Sequence, residues 1–344
     1  MKLIKTEDAV GQVLCHDMTQ IIPGVVKGPV FRKGHIVQPE DIPVLLSIGK
    51  EHIYVWENDE TMMHENDAAQ VLYEMCCGEH MHPSEVKEGK IELIADCDGL
   101  LKVNGGLLRQ VNRFGEMMIA ARHGNTPVKK GDKLAGTRII PLVIQKKKME
   151  RARALCGEQS ILQLLPFHAK KAAILTTGSE VYYHRIEDAF TPVLEKKLAE
   201  YGCPVIYHEV FADDPDAVTE GCRRAIQMGA ELVLCTGGMS VDPDDRTPLA
   251  IRNTGAEIIS YGAPVLPGAM FLLSYYHKED GTSIPVIGLP GCVMYAKRTV
   301  FDLVLPRLLA DDPVTAEDLS ALGEGGLCLS CPVCTWPNCG FGKG

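Results

Sequence analysis

The sequence predicts an α/β protein: a doubly wound, mostly parallel sheet in the second half, preceded by a smaller β-rich α+β region. Three observations predict it. Short apolar runs at 172–176, 205–211, 231–235 and 284–288 alternate with helix-length segments, the rhythm of βαβ units. The helical segments between them stop at glycines, Gly202 and Gly229. A polar or glycine-rich motif follows each strand: Thr177-Gly178-Ser179-Glu180, Asp213-Asp214, the Gly237-Gly238 loop and Leu289-Pro290-Gly291. All four therefore gather on one edge of the sheet, where open α/β sheets bind ligands.

Charge and composition narrow the partners. The 344 residues carry 35 Lys and Arg against 45 Asp and Glu, a net charge of −10, which disfavours a nucleic-acid backbone. The first residues lack the apolar core of a signal peptide, and no apolar run reaches membrane-spanning length, so a cytoplasmic protein without membrane partners is expected. Thirteen cysteines in a reducing compartment then predict buried thiols and, where they cluster, a metal.

Taken in order, residues 1–88 form an N-terminal α+β region with a helix at 42–48 closed by Gly49, a strand at 53–55 and a helix at 67–77 ended by Gly78. His64, Cys76, Cys77, His80 and His82 lie around it but match no ligand spacing. Residues 89–145 alternate with a period near two and are punctuated by Gly105-Gly106, His123-Gly124-Asn125 and Lys130-Gly131-Asp132, as a β-rich domain with hairpin turns would be. Residues 146–168 are a charged helical connector whose Lys146-Lys147-Lys148 run reads as a solvated face.

The α/β domain is expected over 169–312. Its helices fall at 188–201, from Pro215 to about 228, at 248–253 with Thr247 as N-cap, and at about 294–309. Glycine turns let backbone amides approach phosphate oxygens, and the Ser179 hydroxyl adds a donor. The carboxylates Asp242, Asp244 and Asp245 suit Mg²⁺ beside such a phosphate. Cys292, placed before the last helix, would have its thiolate favoured there, although a small buried cysteine is the plainer reading.

These motifs resemble a known family. Thr177-Gly-Ser-Glu180, Ile186-Glu-Asp188, Asp213-Asp-Pro215, Thr236-Gly-Gly-Met-Ser-Val241 with Asp245 and Thr247, and Gly288-Leu-Pro-Gly291 are similar, in order and spacing, to the molybdopterin-binding domain of molybdenum-cofactor biosynthesis proteins. The resemblance implies that Thr177, Gly178 and Ser179 hold the phosphate region of molybdopterin or its adenylylated form. It implies that Glu180, Asp213 and Asp245 are the catalytic, magnesium-linked acids, with Asp214 a near alternative to Asp213. Gly237, Gly238 and Ser240 would shape the pocket and Pro290 and Gly291 close it. Asp188 reads as a helix cap. The start, from Thr6 to Leu14, resembles the multidomain molybdotransferase branch, which implies a homo-oligomer and molybdate as a further substrate. Against that branch, Leu266-Pro-Gly-Ala-Met270 stands where two lysines are usual, Cys292-Val293 replaces Asn-Pro, and Phe190 replaces an asparagine. Two other readings follow: a non-catalytic pterin carrier or redox-sensing accessory protein for a molybdoenzyme, and a nucleotide pyrophosphatase on the same domain.

Residues 313–344 form a linker and a cysteine-rich tail. Cys328, Cys331, Cys334 and Cys339 are spaced C-x2-C-x2-C-x4-C, which predicts a [4Fe–4S] cluster, with zinc as the alternative.

Overall fold

The computed structural model describes residues 2–22, 26–55 and 59–343. The chain falls into two compact units: Met1–Asp96, Val103–Arg122 and Gly131–Gln163 in the first, and Cys97–Lys102, His123–Lys130 and Leu164–Gly344 in the second. Residues 97–102 and 123–130, expected inside the β-rich region, thus belong with the second unit, where Gly99, Leu100 and Leu101 pair antiparallel with Val128, Pro127 and Thr126.

In the first unit, Met81–Pro83, Lys90–Ala95, Lys133–Ile139 and Met117–Ala121 make a four-stranded antiparallel sheet. Ala9, Leu14, Met18, Val37, Leu45, Ile53 and Val55 form a separate apolar cluster. Where the sequence reads a hairpin turn at Gly105-Gly106, there is a helix, Gly105–Asn112. The reason is local: the Asn104 side chain accepts from the Leu107 amide at 3.0 Å and satisfies a donor that the first helical turn would leave open.

The second unit has the predicted architecture. Its strands are β1 (Ala172–Thr177), β2 (Val205–Phe211), β3 (Leu232–Thr236), β4 (Glu257–Tyr261), β5 (Leu272–His277) and β6 (Ser283–Leu289), in the spatial order β2-β1-β3-β6-β5-β4. The first three joints are parallel, and β6–β5 and β5–β4 are antiparallel. Its helices are α1 (Ser179–Tyr182), α2 (Phe190–Ala199), α3 (Pro215–Gln227), α4 (Thr247–Asn253), α5 (Val300–Leu309) and α6 (Ala316–Ala321). Every residue of β1 and β3 is buried, which is why these strands read as unbroken apolar runs. On one face Ile174 and Leu234 join Leu194 and Leu198 of α2 and Phe301 and Leu305 of α5. On the other, Leu175 and Val233 join Val218 and Cys222 of α3 and Ala250 and Ile251 of α4.

Two helix starts differ from the expectation. The helix expected at 294–309 is a 3₁₀ turn, Gly291–Met294, followed by α5 only from Val300. The start is set by a capping box: the Thr299 side chain accepts from the Phe301 amide at 3.3 Å while Asp302 accepts from the Thr299 amide at 2.7 Å. Cys292 is therefore remote from a long-helix N-terminus, and burial pushes its thiol pKa up. Asp302 also holds Lys197 of α2 at 2.6 Å, with the two side chains only 3 % and 9 % exposed. α4 begins at Thr247, so the N-cap position falls to Arg246 and the Thr247 hydroxyl serves another purpose. No helix among the described residues is long and apolar enough to cross a membrane.

Candidate ligand site at the sheet edge

β1 and β3 are neighbours, yet the chain leaves β1 toward α2 on one face and leaves β3 toward α4 on the other. Open α/β sheets bind ligands at such a reversal, beyond the strand ends. Thr177, Gly178 and Ser179 stand at the end of β1, and Gly237 and Gly238 follow β3.

The two loops interlock at Thr177. Its hydroxyl donates to the Thr236 carbonyl at 2.9 Å and meets the Thr247 hydroxyl at 3.1 Å. The Thr247 amide in turn donates to the Gly238 carbonyl at 3.1 Å. Gly237 has φ +80°, and a Cβ there would lie 2.1 Å from the Thr177 carbonyl oxygen, so only glycine permits this approach. Thr236 keeps a buried hydroxyl with no hydrogen-bond partner among the described residues. Replacing Thr177 by Val is expected to cost about 1–3 kcal/mol of stability. Chemical denaturation checks this, and an unchanged midpoint would show that the hydroxyl pair contributes nothing.

The acids are placed differently from one another. Asp214, not Asp213, caps α3, accepting from the Asp216 and Ala217 amides at 3.0 and 3.4 Å. Asp213 is left to accept from the Ser179 amide at 2.9 Å, and its own amide reaches the Ser179 hydroxyl at 3.4 Å. Glu180 is exposed, but its carboxylate folds back over Gly178, within 2.9–3.1 Å of where a Cβ would stand. Asp245 closes its own loop by accepting from the Asp242 amide at 2.9 Å.

The Gly237–Ser240 loop is tethered from the far strands. The Tyr261 hydroxyl on β4 donates to the Met239 carbonyl at 3.0 Å and approaches that of exposed Ser240 at 3.4 Å. Burial first, and then the charge of Asp245, push the Tyr261 pKa up. The Met239 side chain lies over Gly288, where a Cβ would come within 2.5 Å of its terminal carbon. Pro290 is buried and opens the 3₁₀ turn, whereas Gly291 is exposed.

Beside α1 lies a cavity of about 660 Å³ lined by Tyr182, His184, Arg185, Glu187, Asp188 and Val210. Asp188 accepts from the Phe190 and Thr191 amides at 2.8 and 3.1 Å, as a cap would, and also from the hydroxyls of Thr191 and Thr176 at 2.5 and 3.1 Å. Burial raises its pKa, but these donors outweigh burial and hold it below the usual carboxylate range. His208 Nε2 stands 3.0 Å from the Thr191 hydroxyl. Thr176, Thr191, His208 and Tyr261 are not legible as site residues, because no motif marks them, whereas Thr247 belongs to the quoted Asp245 motif.

The metal expectations are overturned. Among the described residues, no group of three or more His, Cys, Asp or Glu side chains is placed to hold a metal ion. Glu180, Asp213 and Asp245 each serve a separate loop, so they form no magnesium site. The tail cysteines are divided: Cys328 and Cys339 pack on the apolar core, whereas Cys331 and Cys334 are exposed, so neither an iron–sulfur cluster nor zinc is supported at this spacing.

Comparison with known proteins agrees with this geometry. Residues 173–310 match the family model described as "Probable molybdopterin binding domain", and residues 3–57 match a domain of unknown function. The chain is 32% identical over 85 residues to a molybdenum cofactor biosynthesis bifunctional protein of Synechococcus elongatus, covering 25% of this chain and 27% of that protein. It is 25% identical over 183 residues to a molybdopterin molybdenumtransferase of the same organism, covering 51% of this chain and 42% of that protein. The chain thus spans about a quarter to two fifths of the length of these curated relatives. Among solved structures, the tungsten cofactor synthesizing protein from Pyrococcus furiosus is 19% identical, covers 41% of this chain and 88% of that one, and superposes with a TM-score of 0.33. Residues 173–310 are accordingly similar to the molybdopterin-binding domain of that family model.

Proposed function

We propose that the switch point between β1 and β3 binds molybdopterin or its adenylylated form by the phosphate end, and that the chain acts on this ligand as a molybdotransferase-like transferase. The observation that carries the reading is the interlock of the two loops at Thr177, Gly237 and Thr247, whose buried hydroxyls and close backbone approach fix the loops rigidly at the switch point of the sheet. In this reading Thr177, Ser179 and the Gly237–Ser240 loop position the ligand. Asp213 and Asp245 act on it from opposite sides, and Glu180 covers the Gly178 turn.

Asp245→Asn is expected to abolish turnover while leaving pterin affinity within about threefold, the signature of a group that acts in the transition state. Single-turnover assays beside equilibrium binding separate the two effects, and undiminished turnover would sink the catalytic role. Mass spectrometry of the small molecule released from protein purified out of its host tests the ligand itself. A pterin supports the reading, and a nucleotide without pterin transfers support to a pyrophosphatase. The carrier reading is favoured by one observation: Leu266 and Ala269 stand where two cations would be needed to hold an oxyanion of the metal. Tight pterin binding without any turnover would establish it.

A further inference from the structure

The cysteine tail is a docked element of the second unit. Leu266 donates to the Gly326 carbonyl and accepts from the Cys328 amide, both at 2.8 Å, so that Leu327 forms a parallel bridge with Leu266. The Arg298 guanidinium lies 4.5 Å from the centre of the Trp336 ring, and Phe341 is buried in the core. Within this frame the thiols differ in exposure. Cys328 and Cys339 pack against the core, while Cys331 and Cys334 are the two exposed cysteines of the thirteen.

Between the exposed pair lie Pro332 and Val333, which form a bend. The Lys297 ammonium donates to the Pro332 carbonyl at 2.8 Å, placing a cation beside the bend. A cavity of about 430 Å³ runs under this segment, lined by the four cysteines together with Tyr295 and Trp336. Two accessible thiols separated by two residues across a bend can close a disulfide with little backbone movement. A neighbouring cation suits an anionic substrate.

We propose that Cys331 and Cys334 are a redox-active dithiol that reduces low-molecular-weight anionic disulfides by thiol–disulfide exchange, independently of the pterin site. The thiolate of one cysteine attacks a sulfur of the substrate, the substrate S–S bond breaks, and the departing thiolate takes up a proton. The second cysteine, as thiolate, then attacks the mixed disulfide, expels the other half of the substrate and closes the Cys331–Cys334 bond. The dithiol gives up two electrons and two protons, and the disulfide becomes two thiols.

The probe is glutathione disulfide. Full-length protein is reduced, freed of reductant, incubated with it, alkylated and mapped by mass spectrometry; one tryptic peptide, residues 308–343, carries all four tail cysteines. This peptide is expected to lose the mass of two hydrogens, with Cys331 and Cys334 escaping alkylation and Cys328 and Cys339 still labelled. Cys331→Ser and Cys334→Ser are each expected to retain one glutathione on the remaining exposed thiol. In the reduced protein, Cys331 and Cys334 should alkylate roughly a hundredfold faster than the buried Cys222 and Cys235. The proposal is overturned if Cys331 and Cys334 stay fully alkylatable after incubation, or if a Cys328–Cys339 bond forms instead. It is equally overturned if bound iron or zinc shields the four thiols until it is chelated. Both substitutions lie at exposed positions, and an unchanged circular dichroism spectrum shows that each variant is folded.

Discussion

Gly237→Ala is expected to lower the free energy of unfolding by about 3–5 kcal/mol, from a positive-φ penalty added to a steric clash. The added Cβ would stand 2.1 Å from the carbonyl oxygen of Thr177, and φ at Gly237 is +80°. The opposing atom belongs to the backbone of a buried strand and cannot swing aside as a side-chain tip would. Gly202 supplies the control: its φ is +70°, but nothing lies within 4 Å of the added Cβ. Gly202→Ala should therefore cost only about 1–2 kcal/mol, the conformational penalty alone. Guanidinium denaturation of both variants separates the two contributions. Equal losses would show that the approach of the β1 and β3 loops does not depend on the missing side chain. The larger loss at Gly237 should also abolish ligand binding at the switch point, because the clash falls on Thr177 itself.

Asp302→Ala is expected to destabilise the second unit by about 3–5 kcal/mol, because it leaves a buried ammonium without its counter-charge. The carboxylate gathers the Lys197 ammonium at 2.6 Å, the Arg298 guanidinium at 2.9 Å and the Thr299 amide at 2.7 Å. Removing it also deletes half of the capping box that starts α5. Lys197→Met should cost far less, about 1 kcal/mol, since Asp302 keeps the Arg298 guanidinium and the Thr299 amide and hydroxyl, and methionine replaces the buried lysine stem. The asymmetry between the two variants, read from thermal and chemical denaturation, is the test. A loss of similar size for both would mean that the pair itself, and not the stranded charge, sets the cost.

Much of the α/β unit is legible in the sequence because its central strands are buried on both faces. The runs at β1 and β3 carry no polar interruption, and Gly202 and Gly229 mark where the helices between them must stop. The edge strand β4 escapes notice for the opposite reason. Glu257–Tyr261 is half-exposed and lies between Gly255 and Gly262, so it resembles a loop until β5 is there to pair with it. Composition alone makes 294–299 compatible with a helix, and the Thr299–Asp302 box overrules that propensity and sets the start of α5 at Val300. The motifs mark Thr177 to Glu180 and the Gly237-Gly238 turn, and the fold brings these two loops into contact. Spacing alone could not show that Asp214 takes the capping role and leaves Asp213 for Ser179. Nor could the cysteine spacing reveal that two of the four thiols pack inward, since that depends on Trp336 and Phe341 anchoring the tail.

The contact between Asp213 and the Ser179 amide bears on selectivity. A ligand that docks its phosphate at this turn meets a resident anion already holding the amide at 2.9 Å. Its apparent affinity is then its intrinsic affinity scaled by the fraction of molecules in which the carboxylate has withdrawn. Weak monoanions compete poorly against a tethered carboxylate, whereas a doubly charged phosphate gains more from the same donor. Under the proposed function, Asp213 would therefore act as an internal competitor that screens incoming anions by charge at the Ser179 amide.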